Sequence, residues 1–366
     1  MDRARPLADV SVIEVNDVGA PLCVRLAASL AGRIAADLGA DVLKIEPPGG
    51  DPVRQAPPHL PGGGSALFQF LNASKRSLQA DLSSEQGREV LRRLLETADA
   101  ALFEETAQVA GLVRQGPAAA IELAAFPVEM DAASRPVSEL VVQALGGMMH
   151  MIGEPDRKPL RLAGHQASYA AGMTAYTGLA AALAARQASR PAPRVRVSLV
   201  EVMQWVNWKA ASGAEANGVS PGREGQLSEC QVVPCRDGYV ALVYTTQWRA
   251  IRELIADPRL DAPEFSSRSR RRSNVGTLYD VLRPWFADKT RLQIQALAQA
   301  RGVPFGPVFT PAELLTTEQY QARGFLAEVE AAASGRLRAP QLPVKWNGRT
   351  FAPAPAPGLE TAEAVA

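Results

Sequence analysis

The first fifty residues alternate between strand-like and helix-like spacing of apolar positions. "SVIEV" is a short β-rich run, and "CVRLAASLAGRIAADLGA" after it repeats apolar residues at helical intervals. A second β-rich run, "DVLKIE", follows that helix. Because parallel strands need a long crossover connection, a strand, a helix and a strand in this order predict a parallel sheet.

The same alternation continues to about residue 205. Ser83 and Gln86 have the spacing of a capping box at the head of a helix, and "ADAALF" predicts the next strand. The small apolar residues of 169–186 predict another helix, and "RVRVSLVEV" predicts another strand from its alternating side chains. Residues 1–205 are therefore predicted to form one doubly wound α/β domain.

A different pattern begins near residue 225. "ECQVVPCRDGYVALVYT" contains two β-rich runs around Asp237-Gly238, which predicts a hairpin. Helical spacing follows near 246–256, 275–287 and 290–301. These elements predict a second, smaller α+β domain.

The predicted boundaries divide the rest of the chain. Residues 206–224 are expected to be a linker, and residues 225–317 the smaller domain. Residues 318–350 return to helix-like and strand-like patterns. The Pro-, Ala- and Glu-rich residues 351–366 predict a loosely ordered tail.

Composition argues against several classes of function. The 366 residues carry 39 Lys and Arg against 38 Asp and Glu, so no net field attracts nucleic acid or an anionic membrane. The run "SSRSRRRSN" lacks interleaved aromatic residues and predicts a surface at a helix start. Three cysteines, an odd number, indicate a reducing compartment. Cys230 and Cys235 have no second pair or nearby His, so we expect no metal site.

The sequence predicts neither a secretory signal nor a membrane span. "MDRARPLADVSVIEV" has no apolar h-region. The longest apolar run, 169–185, is shorter than the roughly 20 residues that a span needs. We therefore expect a cytoplasmic protein.

Three polar stretches are candidates for ligand binding. "EPPGGDPVRQ", with Asp51 and Arg54, follows a predicted strand at the end where open α/β sheets bind ligands. Lys75 and Arg76 both suit phosphate, although adjacent cations also occur in solvated turns. The polar residues of "GHQASYAAG" could hold a substrate or only cap a helix. Without a G-x-G-x-x-G, G-x-S-x-G or Walker A sequence, these residues alone predict only an α/β ligand binder.

Five segments together resemble one known family. They are "LGADVLKIEPPGGDPVRQ", "LNASKRSLQADLSSEQGREVLRRLLETADA", "GMTAYTGLAAALAAR", "CRDGYVALV" and "GVPFGPVFTPAELLTTEQYQARGFL". In this order they resemble the class III coenzyme A-transferase family, also called the carnitine dehydratase/bile-acid-inducible F family, over about residues 8–350. The resemblance implies a Rossmann-like large domain built from both chain ends, a smaller central domain, and two subunits interlocked like chain links.

The resemblance also implies where coenzyme A binds. Family members hold CoA near the turn after the first strand and near a second turn, here around position 82. An acidic residue at the end of a second strand, here Glu46, is part of the dinucleotide-binding fingerprint, but the resemblance implies that Glu46 belongs to the scaffold. At position 136 a proline replaces a basic contact to CoA. The positions expected to contact CoA are Val18, Gly19, Ala20, Arg54, Lys75, Arg76, Asp81, Leu82, Ser83 and Arg135.

The catalytic residues that the resemblance implies are altered. The family's transferases use an Asp that attacks the thioester and forms a mixed anhydride, and Ser168 stands at that position. The only base visible near Ser168 is His165. The family's racemases use a His and an Asp, whose positions fall at about Ser138 and at Ala167 or Ser168. Replacement candidates are Glu139, His165 and Ser168.

Three functions stay open. The first is an active enzyme on CoA thioesters of small carboxylic acids, with altered machinery. The second is a non-catalytic acyl-CoA binder or the inactive half of a heteromer, and the third is a chain kept for assembly. The first is favoured as the class of function, because family folds persist with CoA chemistry more often than without it. For mechanism the second is favoured, because the turn at 104–108 reads "EETAQ" and a glycine-rich shielding loop has no counterpart. Expected partners are CoA or acyl-CoA and a second subunit, either a copy of this chain or an intact family member.

Overall fold

The structure is a computed structural model that divides into two compact units. The larger unit comprises Met1–His150, Arg161–Pro221 and Arg323–Ala366, and the smaller comprises Met151–Leu160 and Gly222–Ala322. The residues that the structure describes are 5–16, 19–104, 107–130, 136–186, 192–225, 228–331 and 335–360.

A parallel sheet forms the centre of the larger unit. Its described strands follow the order β3-β2-β1-β4-β5-β6, and Val12 lies opposite Val42 on one side and Ala100 on the other. The predicted parallel α/β architecture is confirmed. The strands are β1 (Ser11–Val15), β2 (Asp41–Glu46), β3 (Arg76–Gln79), β4 (Ala100–Glu104), β5 (Ala119–Ala124) and β6 (Arg194–Ser198).

Helices cover both faces of this sheet. They are α1 (Leu22–Asp37), α2 (Ala66–Asn72), α3 (Glu85–Thr97), α4 (Ala107–Gln115), α5 (Glu139–Leu145), α6 (Gln166–Arg186), α7 (Leu199–Val206) and α8 (Trp208–Asn217). One hydrophobic core joins α1 and α6 to the sheet, and another joins α3 and α4 to it. This strand order with helices on both faces is the doubly wound Rossmann topology.

Small residues allow α1 and α6 to approach closely. A methyl group at Gly172 would lie 2.7 Å from the carbonyl oxygen of Ala27, so a side chain there would force the two helices apart. Ala167, Ala171 and Ala175 are fully buried on the same helix. Because α1 follows β1 and α6 precedes β6 in a parallel sheet, the first turns of both helices lie at the carboxyl edge of the sheet.

Two element boundaries differ from the prediction. Ser84, and not Ser83, caps α3, because Ser84 Oγ accepts the Gly87 N–H at 3.0 Å. The strand predicted through "RVRVSLVEV" ends at Ser198, whose Oγ accepts the Glu201 N–H at 3.3 Å and begins α7. Local side-chain capping thus ends the strand where the alternating pattern alone predicted that it continues.

Regular structure or backbone bonding also occurs where a linker and a tail were predicted. Helix α8 lies within residues 206–224. Residues 351–360 have no regular structure, but Ala354 O accepts the Ser74 N–H at 3.1 Å and Glu360 O accepts the Gln79 N–H at 2.8 Å. The larger unit also holds the antiparallel pair β10 (Leu326–Ala331) and β11 (Gly335–Pro340).

The smaller unit is built on an antiparallel sheet of β7 (Cys230–Cys235), β8 (Gly238–Val243) and β9 (Phe305–Pro307). The predicted hairpin is confirmed, with Arg236 and Asp237 as its turn. A separate core includes Tyr244 and Tyr279. The remaining helices in chain order are α9 (Trp248–Ile255), α10 (Arg268–Ser273), α11 (Val275–Ala287), α12 (Arg291–Gln299), α13 (Pro311–Leu314) and α14 (Glu318–Arg323).

Candidate active site

The carboxyl edge of the parallel sheet carries buried polar groups. Asn16 follows β1, and its Nδ2 donates to Glu104 Oε1 at the end of β4 over 2.9 Å. Burial raises the pKa of Glu104 to about 7, although the positive charges of Arg25 and Lys44 act in the opposite direction. Ligands of open α/β sheets bind at this edge, outside the carboxyl ends of the strands.

Glu139 is the first residue of α5, and its carboxylate lies against the first turn of α6. Oε1 accepts the Ala167 N–H at 2.6 Å, and Oε2 accepts the Ser168 N–H at 3.2 Å. Ser168 Oγ donates to Oε2 at 2.7 Å. A carboxylate is favoured here because the first N–H groups of a helix lack helical partners and carry partial positive charge.

Gln143 also contacts this carboxylate. Its Nε2 donates to Glu139 Oε1 at 2.9 Å and to Leu162 O at 3.4 Å, while its Oε1 accepts the Leu162 N–H at 2.9 Å. No sequence motif points to Gln143, although its place four residues after Glu139 puts both side chains on one helix face. We call Glu139, Gln143, Ala167 and Ser168 the Glu139 cluster.

His165 occupies a different position from the one that the sequence suggested. Its ring stands edge-on to the ring of Tyr169, with 6.1 Å between the centroids, and Tyr169 in turn contacts Phe70 at 6.2 Å. The hydroxyl of Ser168 donates to Glu139. The interpretation that His165 is the base available to Ser168 is therefore corrected, because Glu139 supplies the acceptor from a distant part of the chain.

The negative charge of Glu139 reaches two neighbouring titratable side chains. Burial raises the pKa of the Cys23 thiol to about 11, and the charge of Glu139 adds to this shift. Burial and Glu139 also raise the pKa of Tyr169. Cys23 belongs to the first turn of α1, so the Glu139 cluster is close to the first turns of both α1 and α6. With so high a pKa the thiol keeps its proton at neutral pH and is a poor nucleophile.

A second polar cluster lies behind this edge and consists of paired charges. Lys44 Nζ lies 2.8 Å from Glu14 Oε1 and 2.9 Å from Asp51 Oδ2, and Lys75 Nζ lies 2.6 Å from Glu14 Oε2. All four side chains are fully buried. We call Glu14, Lys44, Asp51 and Lys75 the ion network. The expectation that Lys75 faces a CoA phosphate disagrees with this geometry, because its ammonium is enclosed within the fold.

Arg54 is turned inward as well. It donates to both carboxylate oxygens of Glu46 at 2.7 Å, and its guanidinium lies 4.1 Å from the centre of the Phe68 ring. It also donates to Pro357 O at 3.1 Å and Gly358 O at 3.3 Å. Arg54 therefore joins β2 to the C-terminal segment and does not offer its guanidinium to a phosphate.

Arg76 lies at the wrong edge of the sheet for the expected CoA contact. It is the first residue of β3, and its guanidinium donates to the two carboxylate oxygens of Asp41 at 2.8 and 2.6 Å. Asp41 is the first residue of the neighbouring strand β2. In a parallel sheet these first residues lie at the amino edge, opposite the turns that follow β1 and β3.

The turn that follows β3 is exposed at the carboxyl edge. Asp81 Oδ1 accepts the Ser83 N–H at 3.0 Å and the Ser83 hydroxyl at 2.6 Å, and these bonds lower the pKa of Asp81. Leu82 is buried in the core and does not reach the surface. Arg88 Nη1 donates to Ser83 O at 2.7 Å, which places a cation beside the turn.

The remaining predicted CoA contacts are on the turn into α1 or outside the described residues. Gly19 is exposed and Ala20 is half-buried, just before the first turn of α1. Val18 and Arg135 lie outside the described residues. Within the part of the chain that the structure describes, no group of three or more His, Cys, Asp or Glu could hold a metal ion. None of the described helices is both long and apolar enough to cross a membrane.

Comparison with known proteins decides the family. The sequence model of CoA-transferase family III matches residues 7–361 of this chain. The chain belongs to CoA-transferase family III. The resemblance to this family that the sequence motifs indicated is confirmed.

Relatives of this family III chain include named transferases. The succinate–glutarate CoA-transferase of Agrobacterium fabrum is 26% identical over 355 residues, which cover 90% of this chain and 86% of the relative. Subunit BbsE of the succinyl-CoA:(R)-benzylsuccinate CoA-transferase of Thauera aromatica is 28% identical and covers 80% of this chain and 78% of its own. A probable CoA-transferase of Mycobacterium tuberculosis is 28% identical over 90% of this chain, but this chain spans only 44% of that protein.

A solved structure has the same fold as this family III chain. The crystal structure of a CAIB/BAIF family protein from Brucella suis superposes with a TM-score of 0.82 at 26% sequence identity. The match covers 97% of this chain and 96% of that one. The α/β fold class predicted from the sequence therefore agrees with a solved member of the family.

Proposed function

We propose that this chain transfers CoA between small carboxylic acids and that the Glu139 carboxylate reacts with the thioester. One observation carries the proposal. The half-buried Glu139 carboxylate lies 2.7 Å from Ser168 Oγ, and Ser168 stands where the family resemblance implies a catalytic Asp. Membership of CoA-transferase family III supports the class of reaction.

Transfer of CoA between acids needs a carboxylate on the enzyme. Attack of the Glu139 carboxylate on the thioester carbonyl breaks the C–S bond, releases the CoA thiolate and forms a mixed anhydride. The thiolate then attacks the Glu139 carbonyl carbon, the donor acid leaves, and CoA is held as a thioester on the side chain. An acceptor carboxylate reverses these two exchanges, and no oxidant or reductant is consumed. A serine hydroxyl has no carbonyl carbon on which CoA could be held.

Ser168 has a supporting role in this mechanism. Its hydroxyl occupies one direction from which Glu139 Oε2 could attack. Rotation of the hydroxyl toward the thioester carbonyl frees a lone pair on Oε2 and places a donor near the oxygen on which negative charge develops.

We propose that CoA binds along the carboxyl edge. The turn at Gly19 and Ala20 leads into the first turn of α1, whose N–H groups suit a phosphate. The exposed turn at Asp81 and Ser83 lies at the same edge, and Arg88, which is paired with Glu85 at 2.9 Å, donates to the backbone of this turn. An increase in melting temperature with CoA would support a surviving site, since a ligand of the folded state stabilises it by mass action.

We propose that a second subunit covers the exposed face of α7 and α8. Trp205 is 80% exposed and Trp208 is 61% exposed. Large exposed apolar patches usually mark interfaces, so these two side chains favour a covered face. The family resemblance favours a dimer, and the name of BbsE describes one subunit of a transferase. Light scattering on the purified chain, and on the chain expressed with a second family member, distinguishes a homodimer from a heteromer.

The test of the proposed function is transfer from succinyl-CoA to a panel of small carboxylic acids, followed by mass spectrometry of the CoA thioesters. We expect the wild-type chain, alone or with its second subunit, to form a new thioester. Glu139→Gln should abolish this product, while Glu96→Gln, which changes an exposed glutamate of α3, should leave it unchanged. Absence of transfer by both wild-type preparations would overturn the proposal.

A further inference from the structure

We infer that Gln143 is a positioning residue that fixes the Glu139 carboxylate and the segment before α6 as one unit. The inference rests on the proposed function and adds the residue that orients its reacting group. Gln143 is fully buried, and both ends of its amide are used by these two partners.

The chemistry of an amide suits this position. The Leu162 N–H needs an acceptor, so the amide oxygen faces Leu162 and the NH₂ group faces Glu139. A glutamate at position 143 could accept from Leu162 but would oppose Glu139 with a like charge. A leucine could do neither. Donation to a carboxylate together with acceptance from a backbone N–H therefore specifies the amide.

The bond from Gln143 also makes the two oxygens of Glu139 different. Oε1 accepts from Gln143 and from the backbone of Ala167, whose positions are fixed by two helices. Oε2 accepts one longer backbone bond, from the Ser168 N–H at 3.2 Å, and a second bond from the Ser168 hydroxyl, which can rotate. Oε1 is thus the anchored oxygen, and Oε2 is the oxygen that becomes available to the thioester.

Two variants separate positioning from a merely structural role. Gln143→Leu should lower kcat for CoA transfer by about 10-fold or more at every pH, with the KM for succinyl-CoA within about threefold of wild type. Gln143→Glu should lose activity progressively as the pH rises from 6 to 9, because the carboxyl introduced at position 143 loses its proton and then opposes the charge of Glu139. The titratable groups that face this carboxylate, Cys23 and Tyr169, are present in all the variants and in the Glu96→Gln control.

Two kinetic outcomes would overturn the inference. One is a wild-type kcat in both Gln143 variants. The other is an equal loss of kcat at all pH values in both variants, accompanied by an equal fall in melting temperature. Gln143→Glu preserves the size of the side chain, so we expect it to fold. Its pH profile therefore tests the inference even if Gln143→Leu fails to fold.

Hydrogen exchange gives a readout that needs no activity. Gln143→Leu should speed exchange of the Leu162, Ala167 and Ser168 amides by about 10-fold or more, because their acceptors lose a fixed position. If the wild type transfers no CoA, the proposed function fails, but this exchange result still decides the role of Gln143. Unchanged exchange in Gln143→Leu would overturn the positioning role even if wild-type transfer is observed.

Discussion

The ion network and the Glu139 cluster hold carboxylates in opposite ways. Glu14 is enclosed by the ammonium groups of Lys44 and Lys75, so its charge is matched within the fold. Glu139 is held by two backbone N–H groups, a hydroxyl and an amide, which are all neutral donors. The first arrangement cancels a charge, whereas the second keeps a negative charge and orients it.

This difference separates the scaffold from the candidate chemistry. A carboxylate paired with buried ammonium groups cannot react without leaving those cations unpaired. A carboxylate at a helix terminus can share its charge with a substrate while the backbone donors stay in place. The polar residues of the first block of family motifs therefore have a structural role here, and the proposed reactive carboxylate, Glu139, lies more than eighty residues further along the chain.

The largest effect is expected from breaking the ion network. Lys44→Met leaves Glu14 and Asp51 without a shared cation in a fully buried site. We expect the free energy of unfolding to fall by about 3–5 kcal/mol, because the remaining cations, Lys75 beside Glu14 and Arg25 at 3.5 Å from Asp51, balance the two buried carboxylates less closely. Denaturant unfolding measures the change, with Lys345→Met as an exposed control in the same unit. A loss equal to that of the control would contradict the scaffold role.

Glu104 belongs to neither the ion network nor the Glu139 cluster, and its raised pKa predicts how the stability of the chain changes with pH. Its carboxyl keeps its proton up to about pH 7 in the folded chain, whereas its ordinary pKa is 4.5, so rising pH between these values favours the unfolded state. Glu104→Gln should therefore stabilise the chain by up to about 3 kcal/mol at pH 8 and by much less near pH 5. Melting temperatures of both proteins over this range provide the measurement. A difference in melting temperature that does not grow with pH would show that the pKa of Glu104 is not raised in the folded chain.

Ser168→Ala distinguishes a supporting hydroxyl from a nucleophile. The variant removes the donor to Glu139 Oε2 and keeps the backbone N–H of residue 168. We expect kcat to fall by about 100-fold, the effect of losing one donor to a developing oxyanion, with measurable transfer remaining. Transfer at the background level of Glu139→Gln would instead favour Ser168 as the reacting group.

The smallest effect is expected at the amino edge of the sheet. Arg76→Ala removes an exposed pair with Asp41, and such pairs contribute about 0–1 kcal/mol. Stability, kcat and the KM for acyl-CoA should all stay close to wild type. A large increase in the KM for acyl-CoA would indicate that Arg76 contacts CoA. It would contradict the proposal that CoA binds at the carboxyl edge, away from Arg76.

The fold could be predicted from the sequence because its signals are local. "SVIEV", the helix after it and "DVLKIE" specify a parallel unit by spacing alone, and the Asp237-Gly238 turn specifies a hairpin. The boundary at Ser198 could not be predicted from alternation, because a side-chain cap begins a helix within an apolar run. The hydrogen bonds of residues 351–360 involve backbone atoms, which leave no side-chain pattern.

The candidate site was less predictable because it depends on direction and distance. The sequence selected Lys75 and Arg54 by their charge, but charge does not reveal that both side chains point into the fold. It selected Glu139 and Ser168 separately, and only the fold brings their side chains to 2.7 Å. Gln143 was missed because an amide becomes informative only when its two partners are known.

The most direct test of the central claim is to locate the covalent intermediate. The chain, with its second subunit if one is required, is incubated with succinyl-CoA and trapped with hydroxylamine, and peptide mass spectrometry finds the modified residue. We expect a hydroxamate on Glu139 in the wild type and none in Glu139→Gln. A wild-type chain that transfers CoA without modification at Glu139, or that carries its acyl group on Ser168, would contradict it.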